Sequence, residues 1–330
     1  MTLIPTPNDI RDAATRIAAS VKKTPVLTSQ DLDGQTGGRI FLKAECLQKT
    51  GSFKIRGATN KLMQLSESER AAGVVAWSTG NHAQGVAAAA KALNISAKIV
   101  MPSDAPQTKL DGTRSHGAEV VFYDRTTDDR EDIGRRIAQE EGRIVVPPYD
   151  DFDIICGQGT AGLELVDQVS ELGFALDDVL VPASGGGLLA GVSLAVHDRF
   201  PDARIFVVEP QSFDDHQRSL GSGQRETNTQ RAGSICDALL APAPGTLTWQ
   251  VNRTHLTGGY AVSDDDVLDA IAFAYRAFDV RLEPGGAITL AALLSGHHNA
   301  KGRNVALILS GGNVDDDTFN RALARLPTNE

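Results

Sequence analysis

Lys54 follows Ser52 and Phe53 and precedes Ile55 in the segment LKAECLQKTGSFKIRGATNKL, an apolar setting for a charged side chain. Solvation at a helix end is the ordinary fate of a single lysine. An amine held among apolar groups loses part of its preference for the charged form, and the free amine attacks carbonyl carbons and removes protons from carbon. A second motif, PASGGGLLAG, carries Ser184, Gly185, Gly186, Gly187 and Leu188 from the end of an apolar strand into a helix. Glycines without Cβ let several backbone N–H groups approach one anion, and the helix N-terminus adds partial positive charge. The loop reads either as a phosphate cup or as a tight structural turn. It is no Walker loop, because no Gly-Lys-Ser/Thr follows, and with Gly191 as the next glycine it misses the dinucleotide GxGxxG spacing. In WSTGNHAQG, residues Ser78, Thr79 and Asn81 with the following amides can surround a carboxylate, or can simply cap a helix. In LSGGNVD, Ser310 ends a strand before two glycines and is either a site residue or a turn residue.

The elements that must carry these loops alternate in type. GVVAWS precedes AQGVAAAAKAL, AKIVMP precedes QTKLDGTRSHG, and AEVVFYD precedes DDREDIGRRIAQEEG; DDVLVPA, ARIFVVEP and NVALILS continue the series. Strand and helix in alternation predict an α/β fold of parallel strands with crossover helices, whose ligands sit beyond the carboxyl ends of the strands. Pro147 and Pro148 punctuate the chain after the third unit. The expected division is a large domain from 1–72 and 148–330 and a small one from 73–147. The stretch from Gly221 to Gly233 reads as a surface loop, and His297 and His298 as solvated loop residues without a role.

With 330 residues, the chain is long enough for one large α/β unit or two lobes sharing a cleft. A formal charge of -10 repels phosphate backbones and anionic lipid, so a small metabolite is expected in place of nucleic acid or membrane. The apolar runs are far shorter than the roughly 20 residues a membrane helix needs. The first residues carry Asp9, Arg11 and Asp12 where an export signal needs an apolar core. A cytoplasmic location is expected. Cys46, Cys156 and Cys236 are odd in number and widely spaced, which predicts reduced, buried thiols.

Four motifs stand in order: Ser-Phe-Lys-Ile-Arg-Gly-Ala from Ser52, Ser-Thr-Gly-Asn-His from Ser78, Ser-Gly-Gly-Gly-Leu from Ser184 and Ser-Gly-Gly-Asn from Ser310. In these the chain resembles the fold-type II pyridoxal-phosphate enzymes, in the threonine/serine dehydratase and serine racemase branch. The resemblance implies a tryptophan synthase β-like fold of two open, twisted, mainly parallel sheets flanked by helices, with the site between the lobes. It implies that Lys54 carries pyridoxal 5'-phosphate as a Schiff base and that Ser184, Gly185, Gly186, Gly187 and Leu188 hold the cofactor phosphate. By the same carry-over Asn81 bonds the ring hydroxyl, Phe53 packs beside the ring, Ser310 meets the pyridine nitrogen, and Glu283 joins the cofactor-binding set. Ser78, Thr79, Asn81 and His82 would hold the substrate carboxylate. In VVEPQSFDD, Glu209, the carbonyl of Phe213 and Asp215 look like the divalent-cation site of this branch, suited by their oxygens to Mg²⁺ or Ca²⁺. The alternative is a solvated acidic loop.

The activity so implied is α,β-elimination from a hydroxy amino acid of the L-threonine/L-serine type, giving a 2-oxo acid and ammonia. Lys54 is the base at Cα and the ring the electron sink. A neutral Ser310 at the ring nitrogen makes a weaker sink than a carboxylate partner would, which favours expulsion of the β-hydroxyl. The alternatives are 3-hydroxyaspartate ammonia-lyase and serine racemase. Racemases of this branch carry serine where this chain has Thr79, and Ala238 replaces the glycine of the usual Ala-Asp-Gly. The resemblance also implies a homodimer, a catabolic role, and no isoleucine feedback because the chain stops soon after SGGNVDDDTFNRALARL.

Overall fold

The computed structural model describes residues 3–105 and 107–326. Ten strands are present among the described residues: β1 (Val26–Leu27), β2 (Arg39–Lys43), β3 (Val74–Trp77), β4 (Ala97–Pro102), β5 (Glu119–Tyr123), β6 (Ile144–Val145), β7 (Asp178–Pro182), β8 (Arg204–Pro210), β9 (Leu256–Val262) and β10 (Asn304–Ile308). They form a six-stranded sheet ordered β1-β2-β10-β7-β8-β9 and a four-stranded sheet ordered β5-β4-β3-β6. All pairings are parallel except β1 with β2. This is the expected α/β class with two mainly parallel sheets.

Parallel strands covered on both faces read as continuous apolar runs. The side chains of β3 and β7 are buried throughout, as are Val305 to Ile308 of β10. The four strands of the smaller sheet lie between residues 74 and 145, but its core also takes in Ala58, Leu62 and Ile154 from helices outside that stretch. The helix Lys54–Met63 is therefore anchored beneath the small sheet, while Ser52 and Phe53 just before it pair with Gly311 and Ser310 after β10 of the large one.

A long helix, Phe152–Glu171, is the spine between them. It approaches the Lys54 helix backbone to backbone at Gly157, where a Cβ would lie 2.6 Å from the Cα of Gly57. On the other side of this crossing Arg56 is fully buried and binds Glu45 through Nε and Nη2 at 2.7 and 2.8 Å, and Glu164 through Nη1 and Nη2 at 2.7 and 2.8 Å. Lys43 reaches the same Glu164 at 2.7 Å. Two cations and two carboxylates thus tie strand β2, the spine and the Lys54 helix together. Cys46, Cys156 and Cys236 are free and buried, as expected.

One loop expectation is corrected, and the Gly221 to Gly233 stretch is a surface loop as expected apart from one residue. His298 is buried, with its ring 3.2 Å from Asp178 and its Nδ1 3.1 Å from the Tyr260 hydroxyl; only His297 is exposed. The polar stretch after Gly221 turns Asn228 inward, where its amide donates to Asp215 at 2.6 Å.

Candidate active site

Lys54 begins its helix, and Nζ is partly buried, donating to the carbonyl of Pro148 at 2.7 Å with the Phe53 ring 5.2 Å away. Burial lowers its pKa to about 8, against the pull of the Glu283 carboxylate, which acts to raise it. An appreciable fraction of free amine near neutrality is the state that addition to an aldehyde requires. The residue after Pro148, Tyr149, lies against the glycine loop: a Cβ on Gly185 would come 2.2 Å from the Tyr149 ring. Two adjacent residues thus join the lysine to the loop from 184 to 188.

The loop's first three carbonyls are turned outward and fixed. Ser184 O faces Nε2 of His216 at 3.0 Å, Gly185 O accepts from Gly245 N at 3.0 Å and Thr248 Oγ1 at 2.6 Å, and Gly186 O accepts from Asn252 at 3.3 Å. Gly186 has φ +91°, a left-handed conformation that reverses the peptide direction. Among the described residues the N–H groups of Ser184 to Leu189 donate to nothing, although the segment from Gly185 to Leu189 is buried. The helix beginning at Gly187 has no side-chain cap. Buried, unpaired donors are costly unless a ligand takes them, and a row of them at a helix N-terminus is an anion site.

The second helix N-terminus has the same character. The helix Asn81–Ala92 is preceded by Gly80, again without a side-chain cap, so the capping alternative for this loop does not hold. Ser78 Oγ instead accepts from Gly80 N at 3.2 Å, and the N–H groups of Thr79, Asn81, His82 and Ala83 have no acceptor among the described residues. The His82 ring is buried with Nε2 at 2.9 Å from the Val146 carbonyl, and burial, then the charge of Lys54, lowers its pKa to about 3. His82 accordingly offers the cleft its main-chain N–H, not a cation.

Asn81 links this loop to the third. Its Nδ2 donates to Glu283 at 2.5 Å and its Oδ1 accepts from Asn313 at 2.7 Å. Burial and, next, the charge of Asp237 raise Glu283 to about 7. Ser310 is buried, with Oγ donating to the Gly285 carbonyl at 3.3 Å, and its own carbonyl accepts from Phe53 N at 3.2 Å. Three of the motifs are therefore connected through one another's hydrogen bonds, and Pro148 with Tyr149 joins the fourth, the glycine loop, to Lys54.

A model of the pyridoxal-phosphate dependent enzyme family matches residues 17–311. The chain belongs to this family. It is similar to an L-threo-3-hydroxyaspartate ammonia-lyase from Pseudomonas sp., 42% identical over 94% of this chain and 96% of that one. Solved structures resemble it over nearly their whole length. A T.th. threonine deaminase has a TM-score of 0.89 at 42% identity, covering 94% of this chain and 99% of that one. Another, maize serine racemase, has a TM-score of 0.91 at 38% identity, covering 98% of each chain.

The cofactor of this family suits the residues in place. Its phosphate matches the unpaired donors of the 184–189 segment, and its aldehyde matches a lysine whose amine is partly neutral. A further cluster adjoins the loop from 184 to 188 through His216. Glu209 and Asp215 are buried, which excludes the solvated-loop reading, and burial followed by the charge of Asp215 raises Glu209 well above the carboxylate range. Glu209 accepts the N–H groups of His216 and Gln217 at 2.9 Å each, and no donor among the described residues reaches the Phe213 carbonyl. The residues that sequence motifs miss are those holding the site from outside: Tyr149, His216, Thr248 and Asn252. The last two stand more than sixty residues from the loop carbonyls they fix, with no spacing to mark them.

Proposed function

We propose that this enzyme is a hydroxy amino acid ammonia-lyase that removes water and then ammonia from a substrate of the L-threonine/L-serine type. The observation that carries the reading is the pairing of Lys54 with two uncapped helix N-termini, one with donors for a phosphate and one with donors for a carboxylate. The amides from Ser184 to Leu188 would hold the phosphate, Phe53 would pack beside the ring, Asn81 with Glu283 would serve its hydroxyl, and Ser310 would meet the ring nitrogen. Bound there, pyridoxal phosphate supplies an electron sink for charge developing at Cα. Ser78, Thr79 and the amides of Asn81, His82 and Ala83 orient the substrate carboxylate. Lys54, with its pKa lowered to about 8, removes the α-proton, and the neutral Ser310 favours loss of the β-hydroxyl over a long-lived carbanion.

The proposed lobes are 1–72 with 148–330 and 73–147, sharing the cleft that holds the substrate. The Pseudomonas relative favours 3-hydroxyaspartate as the second reading, and the maize one favours serine racemisation with Thr79 as the acid on the opposite face. A homodimer in the cytoplasm, and a divalent cation on Glu209, the Phe213 carbonyl and Asp215, complete the proposal.

Borohydride treatment of the holoenzyme followed by peptide mapping should place the cofactor on Lys54; an unmodified Lys54 in active protein refutes the reading. A panel of serine, threonine and both 3-hydroxyaspartate diastereomers, scored for 2-oxo acid and by chiral chromatography, separates the three activities.

A further inference from the structure

The cation proposed above rests on oxygen ligands alone, and the structure offers more than oxygen. One carboxylate oxygen of Glu209, one of Asp215 and one ring nitrogen of His216 all lie within 4.8 Å of one another. The three residues are almost completely shielded, at 0%, 1% and 0% exposure. Asp215 Oδ2 and His216 Nδ1 are both buried without a hydrogen-bond partner, while the other atom of each group is engaged: Asp215 Oδ1 with Asn228, and His216 Nε2 with the Ser184 carbonyl. Both atoms are acceptors shielded from water with nothing donating to them, a need that a proton or a metal ion meets.

The tautomer decides what His216 can be. A carbonyl oxygen can only accept, so Nε2 must carry the proton toward Ser184, which leaves Nδ1 as a bare lone pair. An imidazole whose far nitrogen donates to a backbone carbonyl while the near one is unprotonated is the usual state of a metal-ligating histidine. Donor atoms around an ion at about 2.1 Å stand roughly 3–4 Å apart, so from a spacing of up to 4.8 Å these groups need to contract by at most about 1–2 Å.

We propose that His216 Nδ1 is a metal ligand, and that Glu209, Asp215 and His216 form a two-carboxylate, one-imidazole site that takes borderline divalent ions such as Zn²⁺ or Co²⁺ in preference to Mg²⁺ and Ca²⁺. The physical ground is ligand type: Mg²⁺ and Ca²⁺ select oxygen, and an imidazole nitrogen shifts the preference toward the first-row transition series. Because the same ring holds the Ser184 carbonyl outward, the ion also stiffens the loop whose amides face the cofactor phosphate. This inference rests on the cation reading of the preceding section and narrows it.

The test uses cofactor-loaded, full-length enzyme freed of metal with a chelator and titrated with Mn²⁺ alone. Electron spin-echo spectroscopy of the bound Mn²⁺ should show a directly coordinated ¹⁴N, and Zn²⁺ should displace the ion at least 100-fold more effectively than Ca²⁺ or Mg²⁺. In His216→Gln, whose amide can still reach Ser184, the ¹⁴N signal should vanish and Zn²⁺ affinity fall at least tenfold, with Ca²⁺ affinity within threefold of the parent. Glu209→Gln, or Asp215→Asn if the first variant fails to fold, should abolish the bound Mn²⁺ signal. An ion that binds and is lost in Glu209→Gln or Asp215→Asn, yet shows no ¹⁴N coupling and is displaced by Ca²⁺ as readily as by Zn²⁺, overturns the role of His216 and leaves the oxygen site standing. No bound ion, or one indifferent to Glu209 and Asp215, overturns both.

Discussion

Replacing Arg56 by methionine tests whether the buried ion cluster holds the Lys54 helix. Arg56 is fully buried two residues beyond Lys54 and gives six side-chain hydrogen bonds of 2.7–3.2 Å, four of them to Glu45 and Glu164. Burial alone pushes the Glu45 carboxyl upward; the Arg56 guanidinium overrides it and holds Glu45 below the ordinary carboxylate range. Methionine fills much of the volume but strands a fully buried carboxylate, and breaking one partner out of a buried ion pair costs about 3–5 kcal/mol. The sign with pH follows. In the parent the depressed Glu45 contributes stability above its unfolded pKa, which is lost as pH falls through the folded value. In Arg56→Met the folded pKa of Glu45 lies above the unfolded one, so the penalty is present at neutral pH and shrinks as the carboxyl takes up a proton on acidification. Urea unfolding of the cofactor-free protein at pH 8 and pH 5 should therefore give a loss of about 3–5 kcal/mol at the higher pH and a clearly smaller one at the lower. A loss under about 1 kcal/mol, or one equal at both pH values, refutes the claim that this charge pair anchors the helix.

Gly186→Ala should weaken cofactor binding at least tenfold, read by fluorescence titration of the cofactor-free protein. Its φ is +91° and a Cβ would stand 2.6 Å from the Asn252 amide and 2.7 Å from the His216 ring. Thr248→Val removes the 2.6 Å hydrogen bond to the Gly185 carbonyl and should weaken cofactor binding about fivefold, corresponding to a net hydrogen bond of about 1 kcal/mol, in the same titration. Glu283→Gln removes the negative charge that raises the Lys54 pKa against burial, so the amine stays neutral to lower pH. The acidic limb of the pH profile for cofactor capture by the cofactor-free protein should then move to lower pH; a limb that stays put or moves up contradicts the assignment.

Much of the frame is legible because its signals are local. Six apolar runs predict strands, and all six exist in the parallel sheets. Strand β9 escapes such a reading since LTGGYAV carries Gly258 and Gly259 and lies at a sheet edge, where its side chains are mostly half-buried and show no alternation. Strands β1 and β6 are two residues each, too short to register as a pattern. His298 reads as solvated because His-His before Asn looks like a turn; its burial depends on Asp178 and Tyr260, far away in sequence.

The same distinction separates what the motifs say about the phosphate loop from what makes it work. Three consecutive glycines announce that a backbone can approach an anion, but they also announce a segment with the greatest freedom to lose on folding. On its own such a loop would spend most of its time with its amides pointing elsewhere. Here each of three successive carbonyls is held by a side chain from outside the loop, and Tyr149 lies where any side chain on Gly185 would have to go. The glycines permit the close approach that the proposed phosphate site needs, and preorganisation comes from His216, Thr248, Asn252 and Tyr149. Changes at those outer positions should alter cofactor grip while leaving every recognisable motif intact.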